Sequence, residues 1–380
     1  MNSDFHYYAT YCAAAMAGYS HEEALAICYS AQLVDLCTVT LLKKLNGPRA
    51  AATTQLQSEM IDARTDILGL QNITRIWASF HFLPRDLLAE VPGSGINYRN
   101  KYRLIAGPNG PLIQETVELA RDSSLQAAGI AMHVLADTWA HANFAGTPSL
   151  VINNTDSHFY ELIPEADGFT RRKITFGHSV GGSDNLKTSH YNNSIYQSTE
   201  NSIMNLGHGR AGHLPDYSFV RYVYLPAWGG FREIVKDNPH DYLHAFAQMV
   251  YALEILRENT RFFLRDKYAW ETIDPWIDEI RRIIAVRRTD DSEDWKALGE
   301  TITGETIEPF DLNKYQSEYI NAGKKEKEST FLGRFFKAAI AHKSMVTQQI
   351  IISGNHLVGL ALNPFLQRLE ELFDDQISKN

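Results

Sequence analysis

Three residues that can bind a metal ion, His133, Asp137 and His141, lie four positions apart in the segment GIAMHVLADTWAHANF. An α-helix advances about 100° per residue, so a step of four residues passes a full turn by about 40°. On a helix the three side chains therefore lie within an arc of about 80°. Imidazole and carboxylate groups are typical zinc ligands, so this stripe predicts a metal site.

The same stripe is also compatible with a ladder of hydrogen bonds inside a helical core. The neighbouring side chains are apolar nearly all round the helix, which indicates burial: Ile130, Met132, Val134, Leu135 and Trp139. Buried ionisable groups are costly unless they are paired or bound to a metal. The sequence therefore favours a metal over a ladder of hydrogen bonds.

The N-terminal third supplies three further candidate ligands. His6 lies in DFHYYATY, Asp35 interrupts an otherwise apolar helical stretch in AQLVDLC, and His81 stands between two phenylalanines in FHFLP. Each has an alternative interpretation, because a buried aspartate also pairs with arginine or with backbone donors, and both histidines could be packed core residues. On the sequence alone these alternatives stay open.

A glycine-rich segment, GHGRAGHLPDYS, contains His208, His213 and Asp216. Its glycines let the backbone approach other groups closely. Histidines on such a loop beside a rigid helical scaffold are a common form of binding site, although an ordinary polar surface loop is the alternative. We treat all three residues as candidate metal ligands.

Composition narrows the class of protein. The chain has 380 residues and a formal net charge of −9, which argues against general nucleic-acid binding because that requires a basic surface. The three cysteines, Cys12, Cys28 and Cys37, stand among apolar neighbours and predict reduced thiols in the core. There is no HExxH motif and no P-loop, so neither a zincin-type protease nor a P-loop nucleotide hydrolase is indicated.

The sequence has no apolar run long enough to predict a transmembrane helix. Its first residues, MNSDFHYYAT, do not resemble a secretory signal. The expected location is the cytoplasm, or export without a recognisable signal peptide.

Helical patterns dominate, and we expect an all-α fold. Helices are predicted from His21 to about Lys44, over 123–143 and over 240–264. Residues 146–239 are rich in Gly, Asn, Ser, His and Pro and show almost no strand alternation, so they predict long irregular loops. We divide the chain into a metal-binding helical core, residues 1–265, and a C-terminal helical extension, residues 266–380.

Four segments of the chain carry a resemblance to known families: FHYYATYCAAAMAGYSHEEALAICYSAQLVD, FHFLP, GIAMHVLADTWAHANFAG and GHGRAGHLPD. Over roughly residues 4–260 the chain resembles a bacterial family of unknown function. That family in turn looks distantly like zinc-dependent phospholipase C and the S1/P1-type nucleases. Those are all-helical enzymes that hydrolyse phosphoesters at a cleft containing three zinc ions, so the resemblance implies a multi-helix core of that kind.

The resemblance also implies an order of ligands along the chain. The matching candidates here are His6, Asp35, His81, His133, Asp137 and His141, then His208 or His213, then Asp216. By the same analogy Asp35 would bridge metals or orient a water molecule. Those enzymes also chelate zinc with the amine of an N-terminal tryptophan, and this chain has Met1 at that place.

The predicted function is a metal-dependent hydrolase of lipid or nucleotide phosphoesters that holds one to three ions, zinc before other divalent metals. One alternative is a non-catalytic interaction protein stabilised by its metal, for which an apolar stripe near the C-terminus offers a contact surface: Leu366, Leu369, Leu372 and Phe373. Another is a metal-dependent hydrolase of a different bond, such as an amide or a lactone.

Overall fold

The computed structural model describes residues 1–91, 93–178, 182–193 and 205–359. A π-helical segment, Asp4–Ala9, opens the chain and runs directly into the first α-helix. The α-helices of the described residues are α1 (Thr10–Met16), α2 (His21–Leu33), α3 (Val39–Lys44), α4 (Gln57–Ala63), α5 (Ile67–Phe80), α6 (Ile96–Tyr102), α7 (Pro111–Ala120), α8 (Leu125–Ala140), α9 (Leu150–Asn153), α10 (Asn238–Glu258), α11 (Trp270–Ile273), α12 (Ile277–Ala285), α13 (Ser292–Thr303), α14 (Leu312–Asn321) and α15 (Phe331–Ile352).

Two β-sheets interrupt the helical architecture between α9 and α10. The strands are β1 (Tyr160–Glu165), β2 (Gly168–Lys173), β3 (Thr175–Gly177), β4 (His190–Asn192), β5 (Arg221–Tyr224) and β6 (Ile234–Asp237). Four of them form an antiparallel sheet in the order β2-β1-β5-β6, and β3 pairs with β4 in parallel. The structure is 54% helical with these two sheets, so it is a mixed α/β fold and the all-α prediction was wrong.

The strands were not predicted because they lack the alternation of apolar and polar residues on which strand prediction depends. Strand β2, GFTRRK, is exposed along almost its whole length, and β3 and β4 have only three residues each. Apolar residues are instead concentrated in β5, whose last three residues are buried. The sheet packs on an aromatic cluster separate from the main helical core: its members include Phe82, Phe144, Phe159, Tyr222 and Tyr224.

The long helix predicted from His21 is two helices with a turn between them. Its start is as predicted, because Ser20 and Glu23 form a capping box in which each side chain accepts a hydrogen bond from the other residue's backbone N–H. Helix α2 ends at Leu33, and α3 begins only at Val39. Asp35 therefore lies in the connecting turn and not within a helix.

Helices α2 and α8 pack closely, and a glycine makes this approach possible. A Cβ atom placed on Gly129 of α8 would lie 2.3 Å from the carbonyl oxygen of Ile27 and 2.5 Å from the Cβ of Ser30. These distances are far below van der Waals contact, so any side chain at this position would separate the two helices. The contact lies one turn before His133 and two turns before Asp137.

We therefore expect Gly129→Ala to destabilise the fold by about 3 kcal/mol through overpacking of a close helix contact. Urea unfolding monitored by circular dichroism measures this directly. Gly95→Ala is the matched control, because a Cβ atom at Gly95 meets no atom within 4 Å and its φ of −68° suits any residue. A Gly129 variant as stable as the control would mean that α2 and α8 are not in this contact.

The C-terminal part contacts the rest of the chain through several helices, among them α12, which packs on α10. Helix α13 packs on the π-helical segment and α1, and α15 packs on α5 and α8. The boundary proposed at residue 265 stays a prediction, and the apolar stripe predicted at residues 366–373 lies outside the described residues. Among the helices of the described ranges, none combines the length and apolar character needed to cross a bilayer.

Candidate metal centre

Eight of the nine predicted ligands come together around α8. They form three groups whose donor atoms lie within 4.8 Å of one another: His6, His133 and Asp137; Asp35, His81 and His133; and His141, His208 and Asp216. Two ligands of one zinc ion, each about 2.1 Å from the metal, can lie at most about 4.2 Å apart. The distances of 3.1 to 3.9 Å between nitrogens and carboxylate oxygens in these groups suit that span.

Each group is assembled from different elements. The stripe predicted from sequence spans the last two turns of α8, where His141 is the residue that caps the helix. The π-helical segment places the ring of His6 against that of His133, with centroids 3.7 Å apart and planes at 17°. His81 follows the last turn of α5, and the loop that bears His208 and Asp216 leads directly into β5.

Backbone carbonyls determine which nitrogen of two of the histidines carries hydrogen. The Nδ1 atom of His133 lies 2.9 Å from the carbonyl oxygen of Ala31, and the Nε2 atom of His81 lies 3.1 Å from that of Thr53. A carbonyl can only accept, so each of these nitrogens is a donor. In the neutral ring the other nitrogen, Nε2 of His133 or Nδ1 of His81, then has a free lone pair.

The third group follows the same rule. His141 Nδ1 donates to the carbonyl of His81 over 2.7 Å, and His208 Nδ1 donates to the carbonyl of Gly212 over 2.8 Å. The left-handed φ of Gly212, +57°, belongs to the turn that brings this carbonyl back to His208. Metal-binding histidines almost always donate their second N–H in this way, which fixes the ring and its tautomer.

The lone pairs left by this arrangement point at other electron-rich atoms. His133 Nε2 lies 3.2 Å from Asp137 Oδ2 and 3.4 Å from His81 Nδ1. His141 Nε2 lies 3.1 Å from Asp216 Oδ1. A deprotonated ring nitrogen and a carboxylate oxygen at such a distance repel unless a proton or a metal cation lies between them, so these donors fit a metal ion.

His6 gives independent support for this fit. Its ring is fully buried, and neither nitrogen has a hydrogen-bond partner among the described residues. The Nε2 atom is 3.2 Å from Asp137 Oδ1 but outside hydrogen-bonding geometry. Burial, and then the neighbouring His133, lower the pKa of His6 to about 4, so the ring is neutral at pH 7 and its lone pair is available to a metal.

The two buried carboxylates remain ionised. Burial opposes ionisation of Asp137 most strongly, but His141, the N-terminal ammonium and His133 together hold its pKa well below the usual range. Asp216 behaves in the same way, with His208 as the largest opposing influence. Burial lowers the pKa of His208 itself to about 4. At neutral pH the centre thus offers the neutral imidazoles of His6 and His208 and the charged carboxylates of Asp137 and Asp216, which are the forms that bind metals.

The amine of Met1 is also in the centre, where sequence analysis had placed no ligand. It lies 2.8 Å from Asp137 Oδ1, 3.3 Å from Asp216 Oδ1 and 3.2 Å from His141 Nε2. Burial disfavours its charge most strongly, but the carboxylates of Asp137, Asp216 and Asp35 outweigh burial and raise its pKa to about 10. One ammonium charge faces three carboxylates, so the centre still carries excess negative charge.

His213 lies at the edge of the centre and outside the three groups. Its side chain is 62% exposed, and its Nδ1 atom is 3.2 Å from Asp216 Oδ2, the oxygen that does not contact His141. The hydrogen bond to Asp216 raises the pKa of His213. This position suits a residue that orients Asp216, whereas His208 has its free nitrogen directed at Asp216 Oδ1, 3.8 Å away.

We therefore expect His208→Asn to lose the metal of the third group and His213→Asn to retain it. Elemental analysis of protein purified without chelator measures the ratio of metal to protein for each variant. The two substitutions are chemically identical, so each serves as the control for the other. Metal loss confined to the His213 variant would make His213 the ligand and contradict the assignment.

The centre meets solvent on the side of Asp35. This side chain is 32% exposed, whereas those of Asp137 and His133 are at most 1% exposed. Partly buried Trp77 lies beside His81, with ring centroids 4.9 Å apart, and donates its indole N–H to Gln55. Sequence analysis missed Trp77 and the carbonyl of Thr53, because neither residue type is diagnostic of a metal site.

A helical scaffold with a small antiparallel sheet and a buried histidine–carboxylate centre defines the class of this protein. The family DUF6765, a family of unknown function, matches residues 1–350, so the chain belongs to that family. No curated protein and no solved structure matches the chain.

Proposed function

We propose that this protein is a metal-dependent hydrolase, with zinc as the expected metal and phosphoesters as the substrate class. The observation that carries the proposal is the set of histidine lone pairs directed at carboxylates, with each second N–H tied to a backbone carbonyl. Mixed imidazole and carboxylate ligands suit zinc, and iron or manganese are compatible with the same donors. The order of ligand types along the chain, which resembles that of zinc-dependent phospholipase C and the S1/P1-type nucleases, supports a centre of up to three ions.

The charge of the centre supports an anionic substrate. The donor groups include three carboxylates, those of Asp35, Asp137 and Asp216. Two or three divalent cations would more than neutralise them and leave the centre positive. Ions bound there would polarise a phosphoryl oxygen and lower the pKa of a water molecule toward 7.

Asp35 is the residue best placed to meet substrate. It is the most exposed member of the three groups, and its Oδ1 atom lies 3.8 Å from His81 Nδ1 and 3.9 Å from His133 Nε2. The other carboxylates are enclosed, so they hold ions and are not in contact with solvent. A carboxylate in the position of Asp35 can both bind an ion and accept a proton from water at the open side.

A panel of phosphodiesters and phosphomonoesters, of lipid and of nucleotide type, tests the proposal. Metal-replete protein should hydrolyse at least one of them, and Asp35→Asn should lower kcat by about 100-fold or more while retaining the ions of the third group. Metal-replete protein without activity on the whole panel would refute the phosphoesterase, even with every ion in place. Amide and lactone substrates in the same assay distinguish the alternative bond classes.

A structural role for the ions is the second candidate, because one observation favours it. His6, His133 and Asp137 are all enclosed, with no more than 1% of each side chain exposed. A structural zinc is closed by four protein ligands, whereas a catalytic zinc keeps one position for water. X-ray absorption spectroscopy of the replete protein, which counts nitrogen and oxygen neighbours, separates the two roles.

A further inference from the structure

The loop that follows α10 presents apolar side chains to solvent on the side of α8 that faces away from the metal centre. Its Tyr268 packs on Trp139, with ring centroids 6.2 Å apart. Trp139 lies two residues from Asp137 on α8, so the two side chains point about 200° apart around the helix. The loop is therefore a surface separate from the centre described above.

Two large apolar side chains stand out at the tip of this loop. Phe262 is 73% exposed and Leu264 is 47% exposed, whereas Phe263 between them is fully buried. A shallow hollow of about 520 Å³ lies beside them, lined by Tyr251, Arg261, Phe262, Leu264, Lys267 and Tyr268. Its lining combines aromatic, aliphatic and basic side chains and includes no acidic one.

The loop that exposes these two side chains is held in place by hydrogen bonds to α7 and the residues that follow it. Asn259 ends α10 in the left-handed conformation, with φ of 51°, and its side chain accepts a hydrogen bond from Arg121 over 2.9 Å. Arg121 also donates to the carbonyl of Arg261, and its guanidinium lies 5.3 Å from the centre of the Phe262 ring. The backbone N–H of Phe263 donates to Glu118. The loop is thus preformed with Phe262 directed outward, which lowers the entropic cost of binding through it.

The charge of the loop differs in sign from that of the chain. Residues 257–270 contain four basic side chains, Arg257, Arg261, Arg265 and Lys267, against two acidic ones, so their net charge is +2 while the whole chain carries −9. Apolar residues among basic ones, with tyrosine and tryptophan at the edge, are the composition of surfaces that bind the interface of an anionic membrane. A second copy of the chain fits less well, because a symmetric contact would bring two positive surfaces together.

We propose that residues 257–270 form a peripheral binding surface for anionic phospholipid membranes. Phe262 and Leu264 enter the region below the headgroups. Lys267 contacts the phosphates, and Arg261, which donates to Glu258 over 2.6 Å, exchanges that partner for a phosphate. This inference does not depend on the proposed hydrolase, because it uses no residue of the metal centre.

Co-sedimentation with vesicles tests the inference on the full chain. One set of vesicles contains phosphatidylcholine alone, and the other an equimolar mixture of phosphatidylcholine and phosphatidylserine. We expect partitioning onto the anionic vesicles to exceed that onto the neutral ones by about tenfold or more and to fall with added salt. The overall charge of −9 would by itself produce the opposite preference.

Two double variants assign the binding to this loop. Phe262→Ser with Leu264→Ser, and separately Arg261→Glu with Lys267→Glu, should each lower partitioning onto the anionic vesicles by about tenfold or more. Val235→Ser is the matched control, because Val235 is 59% exposed on β6 and lies outside the loop. Absence of binding by the unaltered chain, or binding by both loop variants equal to that of the unaltered chain, would overturn the inference. So would a dimer in solution that the Phe262 variant dissociates, since it would assign the surface to a second copy.

Discussion

Replacing Asp137 with asparagine is expected to empty the first donor group and to weaken the second, whose His81 Nδ1 lies 3.3 Å from Asp137 Oδ2. The substitution keeps the size of the side chain but removes the charge that faces His6, His133 and the Met1 amine over 3.2, 3.2 and 2.8 Å. A neutral amide is a poor metal ligand, and its NH₂ group would compete for the lone pairs. We expect affinity for the ions of these groups to fall by more than about 100-fold, since disturbing even the outer shell of a metal site costs 10–100-fold. Activity, if it is metal-dependent, should disappear with them.

A control separates this effect from general damage to the fold. Glu161 is another buried carboxylate, 1% exposed, but it pairs with Arg287 and lies on β1, outside the three groups. Glu161→Gln should destabilise the protein and leave the ratio of metal to protein unchanged. Full metal content in Asp137→Asn, measured by elemental analysis on material with native circular dichroism, would contradict the role given to Asp137.

Removing the metal should destabilise the protein strongly. Ions that bind the native state and not the unfolded chain stabilise by about 4 kcal/mol when free metal exceeds the Kd a thousandfold. Without them, ionised carboxylates and histidine lone pairs face one another in a buried space, and the single Met1 ammonium compensates only part of that charge. We expect EDTA or another chelator to lower the Tm by about 5 °C or more, and added zinc to restore it.

The same titration on Asp137→Asn supplies the comparison. With the first group disabled and the second weakened, chelator should lower its Tm by much less than it lowers that of the unaltered chain. Identical melting curves with and without chelator for the unaltered chain would show that the cluster is satisfied by its own charges. That result would restore the hydrogen-bond interpretation of the stripe.

The three donors of α8 could be predicted from the sequence because their spacing follows a local rule of helix geometry. The spacing of His133, Asp137 and His141 predicts one face of a helix, and α8 has them there. The convergence of His6, Asp35 and His81 on that face depended on chain order and on a resemblance, since no local pattern determines which helices pack together. The structure places His6 in the first donor group and Asp35 and His81 in the second, and His133 belongs to both.

Other features were out of reach for physical reasons. The strands of the sheet do not alternate apolar and polar residues, because β2 is exposed on both faces and β5 is buried along most of its length. The close approach of α2 and α8 depends on Gly129, which in a sequence looks like any helical glycine that weakens the prediction. The carbonyls of Ala31 and Thr53 orient His133 and His81. Every residue has a backbone carbonyl, so the residue type does not indicate this role.

Anomalous X-ray diffraction on crystals of protein prepared without chelator tests the central claim most directly. Data collected on both sides of the zinc absorption edge identify the element and count the ions. Our account predicts anomalous peaks among the donor atoms of His133, Asp137 and their neighbours, and among those of His141, His208 and Asp216. The account would be contradicted if neither set of donor atoms showed an anomalous peak and water or direct hydrogen bonds filled the space between these side chains.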